Sequence, residues 1–251
     1  MTLTEKINAT IDMLKETDID GCITGSSMLG MNFDVWADAP DIDVFVYQAN
    51  QQLYAVDLLM LKHGFVPLSK GEEWKIDRIR NRGMQKNSYL STVKLVKDEV
   101  IVNISYKANK TNMFMVLSSF DMSIIMIGYD IRKKVLLDLR CGWKNMIQED
   151  PNNIWSESTE VAVPNPLRNQ DVDMYGVEMW VRQFDRCIKY WNRGFDTRPM
   201  ALFYIDSINR VIDDGALFTS DKSQRAYADF VEVYAPMRDK MEAWLKSKED
   251  C

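Results

Sequence analysis

Residues 22–47, CITGSSMLGMNFDVWADAPDIDVFVY, decide how the rest of the chain is read. The stretch predicts a short apolar strand ending in Gly25-Ser26-Ser27, a connecting segment, and a second apolar strand that carries Asp41 and Asp43 around Ile42. Successive side chains of a strand point to opposite faces. Asp41 and Asp43 therefore share one face, and Ile42, Val44 and Val46 the other. Two carboxylates that close repel and raise a pKa unless a cation sits between them. The pattern suits a hard divalent ion, which takes oxygen ligands and leaves room for substrate phosphates. It also describes the solvated face of an edge strand. The small residues upstream favour the first reading, because a Gly-Ser-Ser turn lets backbone N–H groups come close to a phosphate.

With these residues in place, the sequence resembles the nucleotidyltransferase superfamily of the DNA polymerase beta type. The family signature is an apolar residue, Gly, then Gly or Ser, a gap, and Asp-apolar-Asp or Glu-apolar. Thr24-Gly25-Ser26 and Asp41-Ile42-Asp43-Val44 match it across a gap of 14 residues, Ser27 to Pro40. The resemblance covers roughly the N-terminal half. It implies transfer of a nucleoside monophosphate from an NTP to an acceptor, with release of pyrophosphate. Asp41 and Asp43 would hold Mg2+ or Mn2+, and Gly25, Ser26 and Ser27 would cradle the phosphates.

Working outward, the chain has 251 residues, of which 46% are hydrophobic and 27% charged, ordinary values for a globular protein with a sizeable core. A net charge of −6 argues against a generally basic nucleic-acid binder, so any such contact must rest on local patches. Cys22, Cys141, Cys187 and Cys251 are scattered, with no Cys-x-x-Cys pair, as expected of reduced thiols. The N-terminus has charges throughout and no apolar signal core, and no run approaches membrane-spanning length. The expectation is a cytoplasmic protein of a bacterial cell or an infected host, with no membrane partner and an oligomeric state left open.

Thr4 to Thr17 predicts an amphipathic helix capped by Thr2 or Thr4, and residues 50–63 a second helix ending at Gly64. His63, the only histidine, is expected to be a capping or surface residue. Residues 65–85 are polar and basic; with Lys86, the cations Lys75, Arg78, Arg80 and Arg82 near Trp74 suggest either a loop over the site or a solvated edge. Tyr89–Val96 and Val100–Tyr106 predict a hairpin turning at Lys97-Asp98-Glu99. The resemblance implies a third carboxylate on a neighbouring strand, and the matching position is Asn103, a neutral and weaker ligand. Three outcomes stay open: two aspartates and the phosphates suffice, another acid such as Asp121 fills the gap, or the protein binds nucleotide without chemistry.

Residues 111–140 predict a short helix, a strand from Met122 to Tyr129 and a strand from Val135 to Leu139. SSFDMSIIMIGYD and RCIKYWNRGF resemble segments of nucleotidyltransferases from phages and large DNA viruses. Asn, Pro, Ser and Glu cluster between Gly142 and Pro166 as in an irregular connector, and helices are expected over roughly 169–193, 197–214 and 221–247. Arg182, Arg186, Lys189 and Arg193 share one face of the first, either a triphosphate- or RNA-facing ridge or a solvated face paired with Glu178 and Asp185. The last carries Tyr227, Phe230, Val231, Tyr234, Met237, Met241 and Trp244 as a core stripe.

The expected fold is α+β: a small mixed β-sheet nucleotidyltransferase core with flanking helices over residues 1–142, a linker over 143–168, and a C-terminal helical domain over 169–251, with substrate between the two. The expected acceptor is an RNA or tRNA end, a small molecule or a protein hydroxyl. Asp41, Asp43 and Asn103 are the candidate catalytic residues, and Gly25, Ser26, Ser27, Arg186, Lys189 and Arg193 the candidate nucleotide-binding ones. A catalytically inactive relative that binds nucleotide, RNA or protein is the competing expectation.

Overall fold

A computed structural model describes residues 1–33, 41–82, 90–140, 161–165, 184–213 and 220–248. It is a mixed α+β fold. Two compact units form, one of residues 1–120 and 125–146, the other of residues 121–124 and 147–251.

The first unit is built on a seven-stranded sheet in the order β3-β4-β5-β2-β1-β6-β7. The strands are β1 Gly21–Thr24, β2 Asp41–Val46, β3 Val66–Pro67, β4 Leu90–Lys97, β5 Val100–Lys107, β6 Ile127–Asp130 and β7 Val135–Asp138. Of these strands, only β2 and β5 pair in parallel. On β2 burial alternates: Ile42, Val44 and Val46 are buried, while the residues between them are half-exposed. Helices α1 (Leu3–Lys15) and α3 (Ala49–His63) pack on the sheet, bringing Ile7, Ile11, Leu14, Ala55, Val56 and Leu59 into a core with Ile23, Val93, Leu95 and Ile104. Helix α1 starts on a capping box between Thr2 and Glu5. Helix α3 ends on Gly64 at φ +72, whose N–H donates to the Leu59 carbonyl, and the His63 carbonyl accepts from Lys97 Nζ at 2.7 Å.

Three local expectations are corrected. The connector after Gly25 begins as helix α2, Ser26–Phe33, whose Met28 and Leu29 are buried. The basic stretch near Trp74 is no loop: β3 leads into helix α4, Lys70–Arg82. Glu72 and Glu73 lie in its first turn, where negative charge suits the helix dipole. Buried Ile76 anchors it. Glu72 accepts from the Lys94 backbone N–H at 3.0 Å and from Lys75 Nζ at 2.8 Å, and Lys75 donates to the Thr92 carbonyl at 3.3 Å. The helix thereby covers the edge of β4 beyond the end of two-residue β3. Arg80 pairs with Asp57, Arg78 lies over the exposed Trp74 ring, and the Arg82 and Lys86 side chains fall outside the described residues. Finally, the strand expected over 122–129 is split: α5 (Met113–Leu117) and a 3-10 turn (Ser123–Ile125) precede β6, which starts only at Ile127.

The second unit contains α6 (Phe184–Trp191), α7 (Arg198–Asp213) and α8 (Asp221–Lys246). Met200, Tyr204, Ile208, Phe230, Tyr234 and Met241 are buried, and Trp244 meets Phe184 and Trp191 edge-on. Residues 169–183 of the helix expected over 169–193, residues 143–160 and 166–168 of the expected linker, Cys141 and Cys251 fall outside the described residues, Arg182 with them. Among the described residues, no helix is long and apolar enough to cross a membrane.

Cys22 and Cys187 are free and buried. Burial pushes both thiols up to about 12, against the lowering effect of hydrogen bonds with Tyr47 and Tyr204 respectively. Since the thiolate is the nucleophile, both are expected to resist iodoacetamide at pH 8 in the native protein and to react once denatured, as peptide mass mapping would show.

Candidate active site

The site is a row that crosses the sheet. Register pairs Thr24 of β1 with Asp43 of β2, Asp43 with Asn103 of β5, and Asn103 with Lys94 of β4. Paired residues share a face, so Thr24, Asp43, Asn103 and Lys94 lie side by side, with Asp41 two residues from Asp43 on the same face. The character of this face changes along the strands. At Cys22 and Phe45 it is apolar and packed against Met113, Val116 and Leu117. At Asp41 and Asp43 it is polar and half-exposed.

Asn103 is only 7% exposed, and its amide bridges the two carboxylates: Nδ2 donates to Asp43 Oδ1 at 2.9 Å and to Asp41 Oδ2 at 3.4 Å. Its Oδ1 is buried without a hydrogen-bond partner among the described residues, as is Thr24 Oγ1. The amide therefore partly relieves the repulsion of the two acids, leaving an oxygen of its own unsatisfied.

Gly25 joins β1 to α2 at φ +78, a conformation that disfavours any side chain. A Cβ there would stand 2.6 Å from Asp43 Oδ2. Glycine thus lets the Asp43 carboxylate close onto the start of α2, where the first-turn N–H groups lack intrahelical partners and the dipole is positive. Ser26 is 9% exposed, and Ser27 is fully buried with its hydroxyl donating to the Thr24 carbonyl at 2.8 Å. That bond turns the Ser27 hydroxyl inward, so a phosphate here would meet backbone N–H groups rather than Ser27 Oγ. Gly25→Ala is expected to lower the melting temperature by several degrees more than Gly64→Ala, which meets the same backbone strain at φ +72 but open space around its Cβ. Thermal unfolding of the two variants checks this.

Among the described residues, no three His, Cys, Asp or Glu side chains gather to hold a metal. The donors present are two carboxylates and, on a half-turn of the side-chain amide, the orphaned oxygen of Asn103. Hard oxygen donors of this kind fit Mg2+ or Mn2+, which are commonly held by one or two carboxylates together with substrate phosphates. Among the described residues, this set fits such an ion.

Asp121, the alternative third acid, belongs to the second unit and is 4% exposed; Arg186 Nη1 donates to its Oδ1 at 2.9 Å and Oδ2 at 3.0 Å. Of the basic face predicted on α6, Arg186 is thus engaged by Asp121. Lys189 is exposed, and Arg193, beyond the helix end, lies over Tyr190 with Nε and Nη2 buried and without a hydrogen-bond partner among the described residues. These three belong to the second unit, and Gly25 to Ser27, Asp41, Asp43 and Asn103 to the first. Lys94 was missed by sequence reasoning, since only strand register brings it into the row.

No family model matches the chain, and no curated protein matches it significantly. Among solved structures it is similar to a tRNA-processing enzyme in one apo form (13% identity, TM-score 0.48, 94% of this chain and 56% of that one). It is likewise similar to a tRNA-processing enzyme with CTP (12% identity, TM-score 0.47, 90% of this chain and 55% of that one). A second apo form matches at 12% identity and TM-score 0.46 over 87% of this chain and 55% of that one. The chain thus spans little more than half the length of the structures it matches.

Proposed function

We propose that the protein transfers a nucleoside monophosphate from an NTP to an acceptor and releases pyrophosphate. One observation carries this reading: Asp43 Oδ2 is seated against Gly25, so a helix N-terminus suited to phosphate stands directly beside two carboxylates suited to a cation. The resemblance of Thr24-Gly25-Ser26 and Asp41-Ile42-Asp43-Val44 to the nucleotidyltransferase signature supports it.

Asp41 and Asp43 would hold the divalent cation, Mg2+ or Mn2+, and fix its position through the stiff β2 backbone. Bound there, the cation supplies charge neutralisation for the phosphates and the leaving pyrophosphate. The N–H groups at Gly25, Ser26 and Ser27 would orient the phosphates. Asn103 would hold the carboxylates in register. Lys189 and Arg193 remain proposed triphosphate or RNA contacts of the second unit, with Arg186 set by its pairing with Asp121. The acceptor class is an RNA or tRNA end, a small molecule or a protein hydroxyl.

A second reading has its own observation. The Asn103 amide already bridges both carboxylates, which a protein that binds nucleotide without chemistry would tolerate. Incubation with each α-labelled NTP, Mg2+ and separate RNA, metabolite and protein fractions decides between them. Transfer predicts label in one fraction with matching pyrophosphate. Nucleotide binding without label transfer favours the binding protein.

A further inference from the structure

Among the described residues the sheet of the first unit ends on β7, and this edge carries exposed apolar side chains on both faces. Leu137 and Leu139 pack inward on Cys22, Tyr47, Met113, Val116 and Leu117. Side chains alternate along a strand, so Val135 shares that face and Leu136 lies on the other. Val135 is 48% exposed and Leu136 55% exposed. An edge strand offers backbone groups to any further strand, and charged side chains along it normally prevent such pairing. Here the charges stand only at the two ends, Lys133 and Lys134 before Val135, and Asp138 at the last position.

The backbone of β7 is set for pairing at its centre. Leu139 donates its N–H to the Met126 carbonyl at 2.9 Å, and the register runs on through Leu137 with Gly128 to Val135 with Asp130. Hydrogen bonding alternates along an antiparallel ladder, so Val135, Leu137 and Leu139 turn their backbone groups to β6, and Leu136 turns its N–H and C=O away from the sheet.

The side chains are complementary to a second β7 running the other way. A two-fold axis at Leu136 sets Leu136 against Leu136, Val135 against Leu137, and Lys134 against Asp138. Apolar side chains then meet apolar ones, and a cation meets an anion. Lys134 donates to the Lys15 carbonyl, lies 3.8 Å from Glu16, and has a side chain 47% exposed. Asp138 accepts from Arg140 Nε at 2.9 Å and has a side chain 37% exposed. Both charges therefore reach the surface at opposite ends of the strand. Moving the axis by one residue sets Lys134 against Arg140 or against Leu136, and turns a backbone already paired with β6 toward the partner. One register is favoured.

We propose that the β7 edge binds a second copy of this chain, β7 to β7 and antiparallel about Leu136, with the two Leu136 residues exchanging backbone hydrogen bonds and the two sheets joined. The inference is independent of the nucleotide site. Four residues of edge bury far less than the roughly 1,600 Å² of a standard interface, so the dimer is weak, with a dissociation constant on the order of 10–100 µM.

The test is sedimentation equilibrium of the full chain at loadings from about 1 to about 500 µM, which bracket that constant. Wild type is expected to pass from the mass of one chain toward that of two. L136K sets two ammonium groups against each other across the axis; it should keep the mass of one chain at every loading and, at so exposed a position, the melting curve of wild type. K134D sets a carboxylate against Asp138 and should weaken the dimer about threefold to tenfold in low salt and less in high salt. It changes an exposed side chain, so its result does not depend on how L136K folds. V66K, at an exposed position on β3 at the other edge of the sheet, should leave the dissociation constant unchanged. Wild type with the mass of one chain throughout overturns the inference. A dimer that L136K leaves intact, or that V66K abolishes, assigns the contact to another surface and overturns it as well. A dimer insensitive to K134D overturns the register about Leu136.

Discussion

Asp43→Ala is expected to lower nucleotide transfer by about three orders of magnitude or more, with the fold intact. Asp43 is the point where the parts of the site meet: Oδ2 faces Gly25, Oδ1 accepts from Asn103 at 2.9 Å, and the backbone pairs with both Thr24 and Asn103. Its loss leaves Asp41 as the one carboxylate of the pair, held by Asn103 only at 3.4 Å. Folding should be little affected, because Ile42 and Val44 remain buried on the opposite face and one of two repelling charges is removed. The measurement is α-label transfer from the preferred NTP, beside far-ultraviolet circular dichroism and a melting curve. Activity near that of wild type with an unchanged melt would remove Asp43 from the proposed chemistry.

Arg186→Ala is expected to produce the largest loss of stability. Asp121 is 4% exposed, and Arg186 Nη1, donating to both carboxylate oxygens at 2.9 and 3.0 Å, compensates its charge. Removing one partner of a buried ion pair costs about 3–5 kcal/mol, chiefly because the other charge is left buried. Arg186 itself is 40% exposed, so water screens part of the interaction and reduces the expected cost to about 2–3 kcal/mol. For a chain of this length that corresponds to a fall of roughly 4–12 °C in melting temperature. Trp191 and Trp244, which pack against one another, report the change by fluorescence. Lys189→Ala, at an exposed position of the same helix, should stay within about 0.5 kcal/mol of wild type. Calorimetry resolves both.

The parts of the fold legible in the sequence are those fixed by local chemistry. The alternation of Asp41-Ile42-Asp43-Val44 places acids and apolar residues on opposite faces, and the structure buries β2 in that pattern. Gly64 ends α3, and the hairpin turns through Asp98 and Glu99, both at positive φ. Helix α4 was obscured by its charge, although Ser69-x-x-Glu72 is a helix-start pattern: the Ser69 carbonyl accepts from Glu72 and Glu73, and Ser69 Oγ meets the Glu72 N–H at 3.4 Å. Helix α2 was obscured for the opposite reason, since SSMLGMNF is short, uncharged and without an amphipathic repeat.

The site was legible only along the chain, not across the sheet. Gly25, Asp41 and Asp43 carry a motif, but the bridging amide of Asn103 depends on the parallel pairing of β2 with β5, about 60 residues apart. Lys94 enters by one more strand pairing. The engagement of Asp121 by Arg186 likewise joins residues 65 positions apart. No spacing rule reaches that far.

A cation and a nucleoside triphosphate are proposed to be held together at Asp41, Asp43 and the start of α2. Paramagnetic broadening of backbone amide resonances by Mn2+ with a non-hydrolysable triphosphate analogue tests it directly, because the effect falls steeply with distance from the ion. Selective loss of the signals of Thr24 to Ser27, Asp41 to Val44 and Asn103, with restoration by Mg2+, is the predicted result. Broadening centred elsewhere in the chain, or none at these residues, would contradict it.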